Sequence, residues 1–329
     1  MSEVEKIMSL LKLRFSVVGT LAIIIGLPTL FFTAILMWIG VFDLLRLGLF
    51  VVFFNLIQWL LSPYIVDAMY RVKEVSKAEN PQLHATVERL SQKSNITKPR
   101  VMVANIPIPN AFAYGSPIAG TRVAVTSELL KTLDSEQVEA VLGHELGHLK
   151  HRDVQVMMFV SILPALFYSI GFSMMMSSMY GRRSDRDSGS AAVVIGIASI
   201  AIYWILTMFT LYLSRLREYF ADRHSANIVD EGPRKLSEAL AKIQASASRM
   251  KRTPKQTGGV SSFKALFISD PDKAASDTLA IAQAKGVASD SRLVEEVLRR
   301  QVTTADKLLE LFSTHPNMVK RLKALQEPA

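Results

Sequence analysis

Long uncharged stretches interrupt an otherwise mixed polar pattern along this chain. Residues 16–40, 47–66, 154–180 and 188–214 carry no charged side chain. Each meets the roughly 18–20 residues that let a helix cross the hydrocarbon core of a bilayer. The run from Ala191 to Leu213 holds 23 residues, about 35 Å of helix at 1.5 Å per residue. The pattern predicts four transmembrane helices. The first is too long, and too closely followed by another, for a cleaved signal peptide, and it reads as a retained anchor. On the second, Asn55 and Gln58 are three apart and share a face, which suits packing against another helix.

The polar stretches show shorter periods. Pro81–Ser94 reads as a helix. Strands are expected around Val101 and Val103, over Asn110–Gly115, and over Val123–Thr126, with Gly115, Pro117 and Gly120 between the last two as turn residues. Asp134 is a good N-cap and Gln137 its capping-box partner. The helix they open has Val138, Val141, Leu142 and Leu146 as apolar positions and is expected to run on into the third span. A glycine inside it, Gly147, costs about 1 kcal/mol against alanine, so close packing against a neighbour is expected there. Helices are also predicted over Glu218–Val229, Pro233–Met250, with breaks over 271–312, and from Pro316. Residues 251–262 read as a loop by composition.

Composition changes this picture in two ways. Half of the 329 residues are hydrophobic, as a polytopic membrane protein requires, and there is no cysteine. The second fact removes thiol catalysis, thiolate metal sites, disulfides and lipidated cysteines together. The net charge of +9 lacks the basic stripe with interleaved aromatics that would mark a nucleic-acid partner. Lys and Arg instead crowd the ends of the spans, where anionic lipid is the simpler partner. Lys6, Lys12 and Arg14 precede the first span, Arg71, Lys73 and Lys77 follow the second, and Lys150 and Arg152 precede the third. Arg215 and Arg217 follow the fourth. The positive-inside rule then places both termini and residues 67–153 in the cytoplasm. The loop 181–187, with Arg182, Arg183 and Arg186 offset by Asp185 and Asp187, is the one ambiguous count.

The chemistry centres on His144-Glu145-Leu146-Gly147-His148. Two histidines four apart on a helix project from one face and can reach one metal ion, with Glu145 beside its open position. A catalytic zinc lowers the pKa of water to about 7 and takes three protein ligands. Glu218 and Asp222, four apart on one helix face, are the candidates for completing the set. One carboxylate would bind metal while the other orients a histidine; the alternative is a solvated face in ion pairs with Arg215 or Arg223. His84 reads as a surface residue, His151 as an interfacial charge, and His224 as facing away from these carboxylates. Two membrane crossings lie between His148 and Glu218, and two crossings return the chain to the side it left.

Together these residues resemble the HtpX family of membrane-bound zinc metallopeptidases, whose wider relatives include the CaaX prenyl-protein endopeptidases. The resemblance covers nearly the whole chain through Pro109-Asn110-Ala111-Phe112-Ala113, Leu142-Gly143-His144-Glu145-Leu146-Gly147-His148, Arg217-Glu218-Tyr219-Phe220-Ala221-Asp222 and Ser313-Thr314-His315-Pro316. It implies one Zn2+ held by His144, His148 and Glu218, with Glu145 as general base and Asp222 supporting the metal site. It also implies that Asn110, Ala111, Phe112 and Ala113 form an edge strand that holds extended peptides by backbone hydrogen bonds. For Asn110 the plain alternative is a turn cap after Pro109. His315 reads either as a loop histidine or as a candidate transition-state stabiliser donating to the oxyanion.

The expected fold class is an α-rich α+β membrane protein: a zincin-like metalloprotease domain with a small antiparallel sheet, plus four transmembrane helices. Its divisions are 1–66, two N-terminal spans; 67–153, the first half of the peptidase domain; 154–214, a transmembrane hairpin; and 215–329, the second half with the third ligand. The expected activity is zinc-dependent hydrolysis of peptide bonds in misfolded or damaged membrane proteins, at the cytoplasmic face of the cell membrane. The alternatives are a processing protease for a defined substrate and a non-catalytic scaffold or transporter. The last is disfavoured because structural zinc is usually closed by four ligands, many of them cysteine.

Overall fold

The computed structural model describes residues 43–180, 186–250 and 289–327. The first predicted span, 16–40, and the predicted loop 251–262 lie outside them. In chain order the elements are α1 (Leu44–Tyr70), β1 (Val72–Glu74), α2 (Pro81–Ser94), β2 (Arg100–Ala104), β3 (Ala111–Ser116) and β4 (Gly120–Thr126). There follow α3 (Ser127–Thr132), α4 (Ser135–Lys150), α5 (Asp153–Tyr180), α6 (Arg186–Ile228) and α7 (Gly232–Met250). The last are α8 (Asp290–Leu298), α9 (Thr304–Leu311) and α10 (Met318–Gln326).

Among the described residues, three helices are long and apolar enough to cross a membrane: Leu45–Tyr70, Asp153–Met179 and Ala192–Ile228. The chain divides into two compact units. One holds the described residues up to Trp59 with Gln155–Leu213; the other holds Leu60–Val154 and the described residues from Ser214 onward.

In the first unit, α5 and α6 pack through small residues. A Cβ on Gly171 would meet the Gly196 carbonyl oxygen at 3.0 Å, the close approach expected where lipid supplies no hydrophobic drive between helices. Asn55 donates to the Val51 carbonyl of its own helix at 2.8 Å, which satisfies that polar group within the helix.

The second unit is built on a four-stranded sheet in the order β1-β2-β4-β3. The sheet is mixed, which corrects the antiparallel expectation. β1 with β2 and β3 with β4 are antiparallel, but β2 and β4 run parallel. The β3–β4 hairpin inserts β4 between β2 and β3, and strand pairing of this non-local kind leaves no mark on periodicity. Both faces are covered. Val101, Ala111, Val123 and Val125 pack into the main core with Val87, Leu142, Leu240 and Leu322 from four helices. Met102, Phe112, Tyr114 and Ala124 face the other way, with Tyr70 at the end of α1.

α4 starts as expected. The Asp134 side chain accepts from Gln137 N–H at 2.9 Å while Gln137 Oε1 accepts from Asp134 N–H. It ends earlier than expected: His151 caps it, Arg152 adopts φ +54°, and α5 begins at Asp153. The expectation that α4 would run unbroken into the third span is therefore corrected. The reverse holds further on, where the fourth span and the helix after it form the single 43-residue α6.

Candidate metal centre

The site forms where α4 and the C-terminal part of α6 approach within reach of short side chains. A Cβ on Gly147 would stand 3.0 Å from Ala221 Cα, and one on Gly143 2.9 Å from Ser225 Oγ. Ser225 Oγ donates to the Ala140 carbonyl at 2.6 Å across the same contact. The two glycines on α4 thus explain the tolerated cost of a mid-helix Gly: any side chain there would push Glu218 away from the histidines.

His144, His148 and Glu218 each bring one donor atom within 4.8 Å of the others. His144 Nε2 and His148 Nε2 are 3.2 Å apart. Glu218 oxygens lie 3.5 Å from His148 Nε2 and 3.7 Å from His144 Nε2. Donors about 2.1 Å from a tetrahedral zinc would stand roughly 3.4 Å from one another, so this spacing fits such an ion. Glu218 Oε2 is buried without an aligned hydrogen bond, its nearest cation being the Arg321 guanidinium at 3.2 Å, so the oxygen can still serve as a ligand. The donor set, two imidazoles and a carboxylate, also suits zinc.

Each histidine is aimed by a carboxylate on its far nitrogen. His144 Nδ1 lies 2.8 Å from Asp222 Oδ1. Asp222 is gripped by both arms of Arg321, at 2.8 and 2.6 Å, and Arg321 also lies 3.2 Å from Glu218 Oε2. His148 Nδ1 meets Asp153 Oδ2 at 2.6 Å, and Asp153 pairs with Arg217. Sequence reasoning missed Asp153, Arg217 and Arg321. In a continuous helix, five residues at about 100° each would set Asp153 some 140° round from His148. Only the left-handed Arg152 returns it. The available signal was a lone carboxylate heading an otherwise uncharged span.

Glu145 is buried, and its Oε2 accepts a hydrogen bond from the Ala113 N–H of β3 at 2.8 Å. Burial raises its pKa above the ordinary carboxylate range, against the pull of His148 and of this N–H. Burial likewise lowers His144 to about 4, opposed by the Asp222 pairing. The imidazole is therefore neutral, as a metal ligand must be.

β3 is the open edge of the sheet. Asn110 accepts from Thr126 N–H and donates its own N–H to Thr126 Oγ1, both at 2.9 Å. By alternation, the main-chain groups of Asn110 and Phe112 face β4, while those of Ala111 and Ala113 face outward. Of the four residues expected on the strand, Ala113 donates its N–H to Glu145. His315 Nε2 lies 3.7 Å from Glu218 Oε1. Its loop is held by Arg215, which donates to the carbonyls of Glu310 and Ser313 at 2.7 and 2.8 Å. The remaining histidines lie elsewhere: His84 bonds the Val75 carbonyl, and His224 bonds Ser94 Oγ with His151 beside it.

Comparisons with known proteins identify the family. Residues 77–329 match Peptidase family M48. A protease HtpX homolog of Aeropyrum pernix is 40% identical over 276 residues, covering 83% of each chain. One from Thermoplasma acidophilum is 33% identical over 328 residues, covering 96% of each. The crystal structure of S. mikatae Ste24p superposes with a TM-score of 0.58 at 17% identity, over 96% of this chain and 67% of that one, which is a likeness of fold. With three membrane-capable helices and a His-His-Glu cluster that fits a metal ion, the chain belongs to peptidase family M48 and is a multi-pass membrane metalloprotease of the HtpX type.

Proposed function

We propose that this chain hydrolyses peptide bonds of misfolded or damaged membrane proteins at the cytoplasmic face of the cell membrane, as a quality-control protease with one zinc ion. His144, His148 and Glu218 hold the ion, and Asp222 orients His144. Zinc, when bound, polarises the scissile carbonyl and acidifies water. Glu145 takes a proton from the attacking water as its oxygen bonds to the carbonyl carbon. The same carboxyl passes that proton to the amine nitrogen as the C–N bond breaks. A buried carboxylate with a raised pKa suits both halves of this task. His315, beside Glu218, donates to the developing oxyanion.

The single observation that carries this reading is the hydrogen bond from Ala113 N–H to Glu145. It supports a reading in which the edge of β3 holds an extended peptide by its backbone beside Glu145, the residue we assign to proton transfer. Backbone pairing asks little of the substrate's sequence, which favours a protease for damaged proteins over one for a single defined target. The cytoplasmic orientation is supported by the Lys and Arg residues at the span ends.

The test is Glu145→Gln in the full-length protein. Zinc content should be unchanged while cleavage of a membrane substrate falls by about 10²–10⁴-fold, the usual worth of general acid–base catalysis. Undiminished cleavage would overturn the assignment.

A further inference from the structure

Between Arg100 and Arg122 the chain carries no charged residue. That stretch includes β3 and the turn into β4, where exposed turns usually place polar residues. Here the turn is Pro117-Ile118-Ala119, and Ile118 is 58% exposed. One exposed isoleucine needs no explanation. Its position beside α1 does.

β3 runs antiparallel to the last part of α1, and three contacts fix the register. The Phe112 ring lies 5.6 Å from that of Tyr70. The Tyr114 hydroxyl donates to Asp67 Oδ1 at 2.6 Å, and Ser116 Oγ donates to the Leu60 carbonyl at 2.9 Å. From Tyr70 back to Leu60 is about 15 Å of helix, and from Phe112 to Ser116 about 14 Å of strand, so the two elements keep step. Asp67 is the first charge after the uncharged run 47–66. Ser116 therefore touches α1 about 10 Å inside its apolar segment, and the turn lies at that level or deeper. Leu61, Tyr64 and Ile65 on α1 are exposed there too. Two arginines stand at this end of the sheet: Arg100 on β2 is exposed, its guanidinium 3.9 Å from where a Cβ on Gly120 would lie, a position suited to lipid headgroups, whereas Arg122 on β4 is masked. Arg122 is buried, paired with Asp67, and lies 5.3 and 5.8 Å from the ring centres of Tyr64 and Tyr114. A charge facing hydrocarbon would otherwise cost several kcal/mol.

We propose that the β3–β4 turn is immersed in the bilayer at the boundary of headgroups and acyl chains, with lipid hydrocarbon as its partner. The open edge of β3 then begins at the lipid surface, and Ala113, three residues from Ser116, lies about 10 Å along it. If β3 docks substrate as proposed above, a segment leaving the membrane meets the strand before it meets water.

Because the chain has no cysteine, Ile118→Cys gives a single labelling site in the full-length protein, with Pro117→Cys as a second. Lys131→Cys, exposed on α3, is the aqueous control. The variants are labelled with nitrobenzoxadiazole and placed in dioleoylphosphatidylcholine vesicles. The labels at 117 and 118 should emit at shorter wavelength than that at 131. Nitroxides on the lipid acyl chains should quench them, and aqueous iodide should not. Water-like emission with iodide quenching equal to that at 131 would overturn the proposal. This readout needs no hydrolysis, so it stands or falls separately from the peptidase reading. For the docking consequence, Ile118→Asp should slow cleavage of a membrane-embedded substrate several-fold more than cleavage of casein. An equal effect on both would contradict it.

Discussion

His144 and His148 stand one helical turn apart, yet they are supported very differently. His144 is 1% exposed, and the Asp222–Arg321 pair behind it is buried as well, with Arg321 at 0%. The His148 side chain is 19% exposed, and its support, Asp153 with Arg217, comes from the head of α5 and from α6. Both imidazoles are aimed by the same device, a carboxylate held by an arginine. Both pairs are buried, Asp153 and Arg217 at 7% and 9% exposure against 3% and 0% for Asp222 and Arg321, and the deeper copy is the costlier to break because a charge left behind there has less access to solvent.

The largest effect should come from opening the deep copy. Arg321→Met strands Asp222 and Glu218 as buried carboxylates, and breaking such a pair typically costs about 3–5 kcal/mol. The expected outcome is a large drop in melting temperature together with loss of bound zinc. An unchanged melt would show that the two supports are equivalent.

Asp153→Asn leaves Arg217 without its charge partner, at 9% exposure, so it should destabilise the fold less than Arg321→Met does, and it should weaken zinc by about 10–100-fold, the usual cost of removing a partner behind a ligand. Activity should return at excess zinc, which a competition assay with a chelator can follow. If Asp153→Asn destabilises the protein as much as Arg321→Met, burial is not what separates the two sides.

Gly147→Ala tests the helix contact that both copies share. Its Cβ would sit 3.0 Å from Ala221 Cα, and overpacking of this kind costs about 1–3 kcal/mol. Both stability and zinc affinity should fall together, because Glu218 and Asp222 move with α6.

The smallest effect concerns pH in the zinc-free protein. His144 titrates near 4 in the fold against about 6.5 when unfolded. Its neutral form is thus favoured in the fold. That contribution is complete above pH 6.5 and is lost as pH falls through 4. From pH 7 to 6 the His144 contribution alone should weaken the folding equilibrium roughly threefold. Because His224, lowered to about 4, and Glu218, raised to about 7, also titrate in this window, the His144 contribution is read as the difference in pH slope between the melting curves of the parent and of His144→Gln.

What the sequence revealed and concealed follows the range of the interactions. The capping box at Asp134 and the histidine spacing are local, and both read directly. Gly147 signalled close packing but not its partner. Asp153 was hidden because its role depends on the backbone turning left-handed at Arg152, a residue that periodicity treats as helical. Arg321 was hidden because an arginine on a short terminal helix looks like a solvated face until the fold places it against Asp222. The parallel pairing of β2 with β4 was invisible for the same reason: it is made between segments whose local patterns fit either direction.

The central claim is that His144, His148 and Glu218 hold one catalytic zinc ion. Elemental analysis of the purified full-length protein and its Glu218→Ala variant tests it most directly. The account predicts one zinc per chain in the parent and almost none in the variant, with proteolysis lost alongside. A variant that keeps its zinc and its activity would contradict it.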